Sequence, residues 1–400
     1  MTYRDVFGVR EFRALLVSDG MSTLGDQVAR IAVALLVLER SGSPFAASAT
    51  YACSYLTWLI GGPLLSALPD RYPRRRIMVL CDVARMALVA ALAVPGLSLW
   101  VVFAVLIVVG LLSPPAEAAR SALLADVLDG EPYVVANALS NAVGQAGQVG
   151  GFIAGGALVA LVGVEAALLL DAATFALSAL LLLAFVRERI LEVTGLPGSA
   201  LQEAAAGLRL VMGSRRLRVL LSWGLLSAAS VIAAEGLAVT IADERGGGPL
   251  AAGILTAAVP AGFLLGSWAL LRLPSHRREP LFPLLVAMSC VPLLATPFVD
   301  NLPVMVVLWV LAGCGNCLQI VANSAYVQAV PPHLRGRAFG VAGTLLMVLQ
   351  GVVLLSAGAL AEVTDSRVPI AAFAALCLLL APVLPAKTQG RVILGRSVSG

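Results

Sequence analysis

The sequence predicts an all-α membrane protein with twelve transmembrane helices in two six-helix pseudo-repeats, and three observations predict it. Of 400 residues, 60% are hydrophobic and 12% charged, whereas a soluble domain carries about 25% charged residues. Apolar runs of about 20 residues, enough to cross a ~30 Å hydrocarbon core as a helix, recur from end to end. Segments half a chain apart also match at a shared offset of 203 to 204 residues: Leu16–Gly20 (LVSDG) with Leu220–Gly224 (LLSWG), Gly62 with Gly266, and Arg120–Ala122 (RSA) with Asn323–Ala325 (NSA).

The spans are predicted at 14–38, 45–68, 77–95, 98–116, 136–162, 164–186, 217–241, 249–271, 281–299, 302–328, 337–361 and 368–385. Span one is too long for a signal-peptide core, and no small-residue cleavage pattern follows it, so it stays as a helix. Span two runs into Gly61–Arg76 (GGPLLSALPDRYPRRR). There the apolar run stops at Asp70 and a set of arginines, which cannot lie in hydrocarbon and mark a short turn in water. Spans three to six complete a first half, 1–186. The only long loop, 187–216, follows it and leads into a second half, 217–400. Within that loop Leu201, Leu208 and Met212 fall at helical spacing among Glu203 and Arg209, which fits either a helix on the membrane surface or a plain tether. Spans seven to twelve repeat the first six.

The 27 basic residues test this count, because one missed span would scramble their alternation. Only Arg40, Arg245 and Arg367 fall in loops on one side, and Arg30 and Arg85 lie inside spans. All others, including Arg120 in the loop after span four, Arg335 with Arg337, and Lys387 in the tail, fall on the opposite side. That side is expected to be cytoplasmic and to hold both termini of a multi-pass protein of the cell membrane. The net charge of +4 is then a topology signal, and no nucleic acid is an expected partner.

Several chemistries lack their residues. The sole lysine, Lys387, follows Ala386, so there is no phosphate-binding Gly-Lys-Ser/Thr loop and ATP cannot be hydrolysed by that route. No nucleophile elbow or zinc-protease motif appears. The six cysteines all fall in apolar runs, and Cys314 with Cys317 has neither histidine nearby. The expectation is a non-enzyme with no metal and no cofactor, driven by a gradient. Its expected partners are a small-molecule substrate, protons and membrane lipid, and its expected state is a monomer.

The polar residues inside the spans are the candidate site. Asp26 lies halfway along span one with Arg30 one turn beyond on the same face. Charges at the bilayer centre cost about 2.5 to 3.5 kcal/mol each on insertion scales, so the two either neutralise each other as a structural ion pair or make a protonatable carboxylate beside a fixed cation. Asp82 and Arg85, three apart near the cytoplasmic end of span three, are expected to form a structural pair or part of a gate. Asn137, Asn141, Gln145 and Gln148 form an amide stripe along span five, and Asn316, Gln319 and Asn323 repeat it on span ten. Such stripes line a substrate cavity or bond neighbouring helices. Glu235 is a single acid in the outer part of span seven, with a substrate or proton role or a place at the water boundary. Gly147, Gly151 and Gly155 make a ridge of small residues at four-residue spacing, which lets a neighbouring helix approach closely.

These residues resemble the major facilitator superfamily, nearest its drug:proton antiporters of the macrolide-efflux and enterobactin-exporter branch, and the resemblance covers nearly the whole chain. Ser66-Ala-Leu-Pro-Asp70-Arg71-Tyr-Pro73-Arg74-Arg75 is similar to the family's loop 2–3 motif Gly-x-Leu-Ala-Asp-Arg-x-Gly-Arg-Arg. It implies a cytoplasmic gate at Asp70, Arg71, Arg74 and Arg75, with Ser66 and Pro73 in place of two glycines. Gly147-Gln-Val-Gly-Gly151-Phe152-Ile-Ala-Gly155-Gly156 is similar to the antiporter motif Gly-x3-Gly-Pro-x2-Gly-Gly, with Phe152 where proline is usual. Ser113–Asn137 and Leu170–Ser178 resemble the exporter branch, while the arginine that many drug antiporters carry within span four is absent. The resemblance implies the major facilitator fold and export of a small amphiphilic compound by proton antiport. An uptake symporter and a non-transporting sensor stay open as alternatives. Because span eleven starts near Arg337, its positive N-terminal end is expected to hold Asp70, with Arg74 or Arg75 fixing the carboxylate.

Overall fold

The computed structural model describes residues 6–65, 68–128, 130–189, 200–274, 278, 281–331 and 334–383. Ser66 of the turn motif, residues 190–199 of the central segment and the tail with Lys387 lie outside the described residues. The described elements are helices: α1 (Arg10–Ser41), α2 (Pro44–Leu56), α3 (Trp58–Leu65), α4 (Arg74–Leu92), α5 (Leu99–Leu111), α6 (Ser113–Val127), α7 (Glu131–Phe185), α8 (Ala200–Gly213), α9 (Arg215–Glu244), α10 (Gly248–Leu271), α11 (Phe282–Leu294), α12 (Leu302–Asn316), α13 (Leu318–Ala329), α14 (Arg335–Ala361) and α15 (Val368–Leu380). Their order is consistent with twelve spans, three of which are broken in the middle. Span two is α2 with α3, span four α5 with α6, and span ten α12 with α13.

Local chemistry sets the ends. Gly42 closes α1 in the left-handed region (φ 63°) and returns its N–H to Leu38 O at 2.8 Å, the conformation glycine adopts at no steric cost. Ser43 then caps α2 by accepting from Ala46 N at 3.0 Å, with Pro44 in the first turn, where the missing N–H is no loss. Asn301 caps α12 in the same way. α7 covers spans five and six because the chain turns at one residue, Gly163 (φ 83°, ψ 172°), between the two predicted spans. Phe152 is fully buried, and α7 passes through it without leaving helical geometry.

One expectation is corrected here. The helix after Leu99 does not stop at residue 116 but runs on to Val127, so Arg120 lies within a helix rather than in a loop. It can do so because Asp19 and Glu117 take its charge.

α1 lies along the first part of α7, and the glycine ridge sets the spacing. A side chain on Gly151 would meet Leu24 O at 2.7 Å, and one on Gly155 would meet Val28 Cα at 2.9 Å. Backbones this close gain dispersion contacts, the main attraction between helices in lipid. Gly156 faces the other way, onto Pro249 and Gly253 of α10 in the second half. Among the long apolar helices of the described residues α9 is the most enclosed, with 89% of its apolar stretch buried. Its small residues, Ala233, Ala234, Gly236 and Ala238 among them, admit neighbours on all sides. The other long apolar helices leave much larger shares of their surface uncovered, the pattern of helices whose outer faces meet lipid.

The two halves meet at the arginine-poor end. Glu362, just after α14, accepts from the Ser43 hydroxyl and from Phe45 N at 3.1 Å. Ser48 donates to Gly236 O at 3.0 Å. At the arginine-rich end the polar faces of α7 and α13 are open. α8 packs its buried Val211 against Leu217, Tyr326 and Val341 of the second half, while Leu208 and Met212 stay exposed. The side chain of Leu201 lies outside the described residues.

Candidate functional site

Asp26 and Arg30 both line a cavity of about 330 Å³, walled by α1 to α6 and the second part of α7, with Met347 of α14 from the second half. They are not joined as an ion pair, which corrects the structural-pair reading. Arg30 instead lies over the ring of Tyr55 with its guanidinium carbon 5.6 Å from the centroid, a cation–π contact. The Tyr55 hydroxyl donates to Glu235 Oε1 at 3.4 Å. Glu235 is 7% exposed and within electrostatic reach of Arg30. It therefore sits neither at the water boundary nor in the wall of a described cavity, but at the contact between halves, where Arg30 and Tyr55 offset its charge.

The wall of the same cavity also carries Asp82 and Arg85 of α4 and Asp171 of α7. Asp82 and Arg85 are buried and do not bond each other, another correction. Asp82 accepts from the Ser178 hydroxyl at 2.6 Å, and Arg85 lies over the ring of Phe175. Asp26 is within electrostatic reach of both Arg85 and Arg30.

A second cavity of about 330 Å³ holds the span-five stripe: Asn137, Asn141, Gln145 and Gln148 face it together with Ser140 and Gly144. It shares Asp19, Thr23, Arg30, Glu117 and Arg120 with the first, so the two are neighbouring chambers divided by charged side chains. Arg120 pairs with Asp19 and Glu117 at this boundary.

In the second half Gln319 and Asn323 line a third cavity of about 310 Å³ among Leu220, Phe263, Tyr326 and Phe339. Asn316 does not line it. It is buried and accepts from Ser227 Oγ at 2.6 Å and Gln319 Nε2 at 3.2 Å, so it ties α12 to α9 rather than facing a substrate path.

The turn motif is only partly as expected. Asp70 ends a short 3-10 turn, Leu68–Asp70, and is exposed, as is Arg71. Neither Arg74 nor Arg75 holds the Asp70 carboxylate. Arg74 pairs with Asp126 and bonds Ala122 O, and Arg75 donates to Leu183 O at 2.7 Å. The reason lies in where the chain closes: with the halves joined at the opposite end, these arginines bond inside their own half. Gly147, Gly151 and Gly155 face α1, and Gly156 faces α10.

No group of three or more metal-ligating side chains occurs among the described residues. Two arrangements escaped the sequence reading. Asp171 was visible as an acid within a span, the signal already used for Asp26. Glu362 follows a span end and looks like any loop acid.

The sequence profile of the Major Facilitator Superfamily matches residues 15–346 and, again, 226–389. The chain belongs to this superfamily. It is 27% identical over 377 residues to the multidrug efflux pump Tap of Mycolicibacterium fortuitum, covering 90% of this chain and 91% of that protein. To Tap of Mycobacterium tuberculosis (strain ATCC 25618 / H37Rv) it is 27% identical over 386 residues, covering 91% and 89%. The fold matches the nucleoside transporter NupG with a TM-score of 0.75 at 13% identity, over 95% of this chain and 99% of that one. It also matches an inward-facing, unoccupied bacterial homolog of the human lysosomal transporter Spinster, with a TM-score of 0.72 at 15% identity over 94% and 96%. As a member of the Major Facilitator Superfamily, the chain is a multi-pass membrane transporter of small molecules, and its two halves and central polar cavities are what such a carrier requires.

Proposed function

We propose that this facilitator exports a small amphiphilic compound across the cell membrane in exchange for protons. Both termini lie in the cytoplasm, and the chain works as a monomer. Residues 1–186 and 217–400 move against each other, with 187–216 as the cytoplasmic connection between them.

The observation that carries this reading is that Asp26 lines a chamber whose boundary residues, Arg30 and Arg120, are also boundary residues of the amide-lined chamber. A carboxylate that releases its proton there leaves a negative charge beside the substrate path, so proton and substrate can compete for one state of the carrier. In this scheme Asp26 binds the coupling proton and Arg30 sets its electrostatic surroundings. Asn141, Gln145 and Gln148 with Gln319 and Asn323 supply hydrogen bonds to the substrate's polar part. Leu220, Phe263 and Phe339 supply apolar wall for the rest, a combination suited to an amphiphile. Asp70, Arg71, Arg74 and Arg75 form the cytoplasmic gate. The naming of the relatives as multidrug efflux pumps agrees with this direction and substrate class.

The test is uptake into inside-out membrane vesicles from cells that overproduce the protein, with a panel of fluorescent amphiphilic dyes. Accumulation on energisation, lost when an uncoupler collapses the proton gradient, is the expected outcome. Depletion of a preloaded compound instead would mean uptake symport, and no movement of any compound would leave the export reading without support.

A further inference from the structure

Asp171 is 1% exposed, yet only half of its carboxyl group is satisfied. Its Oδ1 accepts only the longer branch of the Thr174 hydroxyl, at 3.2 Å against 2.8 Å to the Asp171 carbonyl, and its Oδ2 has no hydrogen-bond partner. The group is built into the wall beside Asp26: a Cβ on Gly25 would fall on Asp171 Oδ1 and on Thr174. The carboxyl thus occupies the notch that glycine leaves in α1, one residue before Asp26. Arg85, 7% exposed, likewise has an unpartnered Nε, and both residues face the cavity that Asp26 lines.

Charge balance makes this arrangement informative. Asp26 from α1, Asp82 from α4 and Asp171 from α7 lie within electrostatic reach of one guanidinium, Arg85. Of the other cations of the cavity, Arg30 lies near Tyr55, Glu235 and Asp26, and Arg120 pairs with Asp19 and with Glu117, itself also within reach of Arg85. Of these cations Asp171 has Arg85 alone within reach. One cation can offset one carboxylate, and a buried carboxylate without a partner takes up a proton rather than staying ionised. Two carboxylates that share one cation in this way do not both ionise.

We propose that Asp171 is a second proton-binding carboxylate of this transporter, sharing Arg85 with Asp26, so that the first half has two proton-binding sites rather than one. When Arg85 pairs with Asp26, a hydronium ion in the cavity gives its proton to Asp171: one O–H bond of hydronium breaks, the carboxyl O–H bond forms, and water leaves. When Arg85 turns to Asp171, that proton returns to water and Asp26 takes one. Asp82, held by Ser178, stays outside the exchange. The proposal rests on the reading of Asp26 as the coupling acid, and the test separates the two.

Infrared difference spectroscopy on purified protein in lipid, titrated with pH, reads the C=O stretch of protonated carboxyls directly. The wild type is expected to lose two carboxyl equivalents from this buried set, Asp26→Asn one, Asp171→Asn one, and the double variant both. A titration in Asp171→Asn that keeps both equivalents overturns the proposal while leaving Asp26 in place. A loss confined to Asp171→Asn supports the second site and strikes instead at Asp26. Should Asp171→Asn not fold, Thr174→Val keeps the carboxyl and removes the hydroxyl that favours its charged form. One of the two steps should then move to higher pH by about half a unit to one unit, and two unmoved steps overturn the proposal.

Discussion

Glu362 caps the first turn of α2 from across the molecule: its Oε1 accepts from the Ser43 hydroxyl and from the Phe45 amide at 3.1 Å. A carboxylate at a helix N-terminus meets the unsatisfied amides and the positive end of the helix dipole. Here that contact joins the two halves at the end where they are closed. Glu362→Gln keeps an acceptor but loses the charge. Because the site is exposed, the expected loss is about 1 kcal/mol, or roughly a fivefold shift away from the closed arrangement. Spin labels on the facing ends of α2 and α14 should show a larger population at long distance, and an unchanged distribution would mean that the cap does not hold the halves together.

A second contact between halves is steric. A Cβ on Gly156 would meet the Pro249 carbonyl and would lie 2.9 Å from Gly253 Cα, both backbone atoms that cannot turn aside. Gly156→Val should therefore force α7 and α10 apart at about 1 to 3 kcal/mol. It should lower the thermal midpoint of the purified protein by several degrees and shift the same distance distribution. Gly150→Ala, where nothing lies within 4 Å, is the control and should be neutral or slightly stabilising, since alanine is the better helix former.

The loop before α15 gives a pH prediction. Hydrogen bonds from Arg367 hold Asp365 down at about 2, with the guanidinium donating to Oδ1 at 2.8 Å and Oδ2 at 2.6 Å. Since the folded value lies below the unfolded one of about 3.9, the contribution to stability is fully present above that unfolded value. It is lost as pH falls toward about 2. The difference in thermal midpoint between wild type and Asp365→Asn should be constant from pH 7 to about pH 5 and shrink below it. A difference that grows on acidification would contradict the assigned pair.

Hydropathy made the order of helices legible because it reports whether a segment prefers lipid to water, and the glycine ridge was legible because close approach needs small residues at helical spacing. The break at Gly163 falls between two predicted spans for the same reason. Pairings across the bundle were not legible. Arg74 with Asp126, Arg120 with Asp19 and Ser43 with Glu362 are far apart in sequence, and nothing in either local sequence specifies the partner. The count of arginines by side tolerated placing Arg120 in a loop because a helix that runs on past its predicted end on the same side leaves the alternation intact. Asn316 looked like Gln319 because an amide within a span has the same composition whether it bonds Ser227 or faces a cavity. Asp171 passed as part of a family-like stretch, although an acid within a span merits the same question as Asp26.

The central claim, that Asp26 couples protons to substrate, is tested most directly by proton flux in proteoliposomes loaded with a pH-sensitive dye. The compound added is the one that the vesicle panel identifies as transported. Wild-type protein should move protons on its addition, and Asp26→Asn should move fewer than one tenth as many while remaining folded in the membrane, the loss expected when a coupling acid is removed, about 1.4 kcal/mol or more. Proton movement in Asp26→Asn at the wild-type rate would contradict the account.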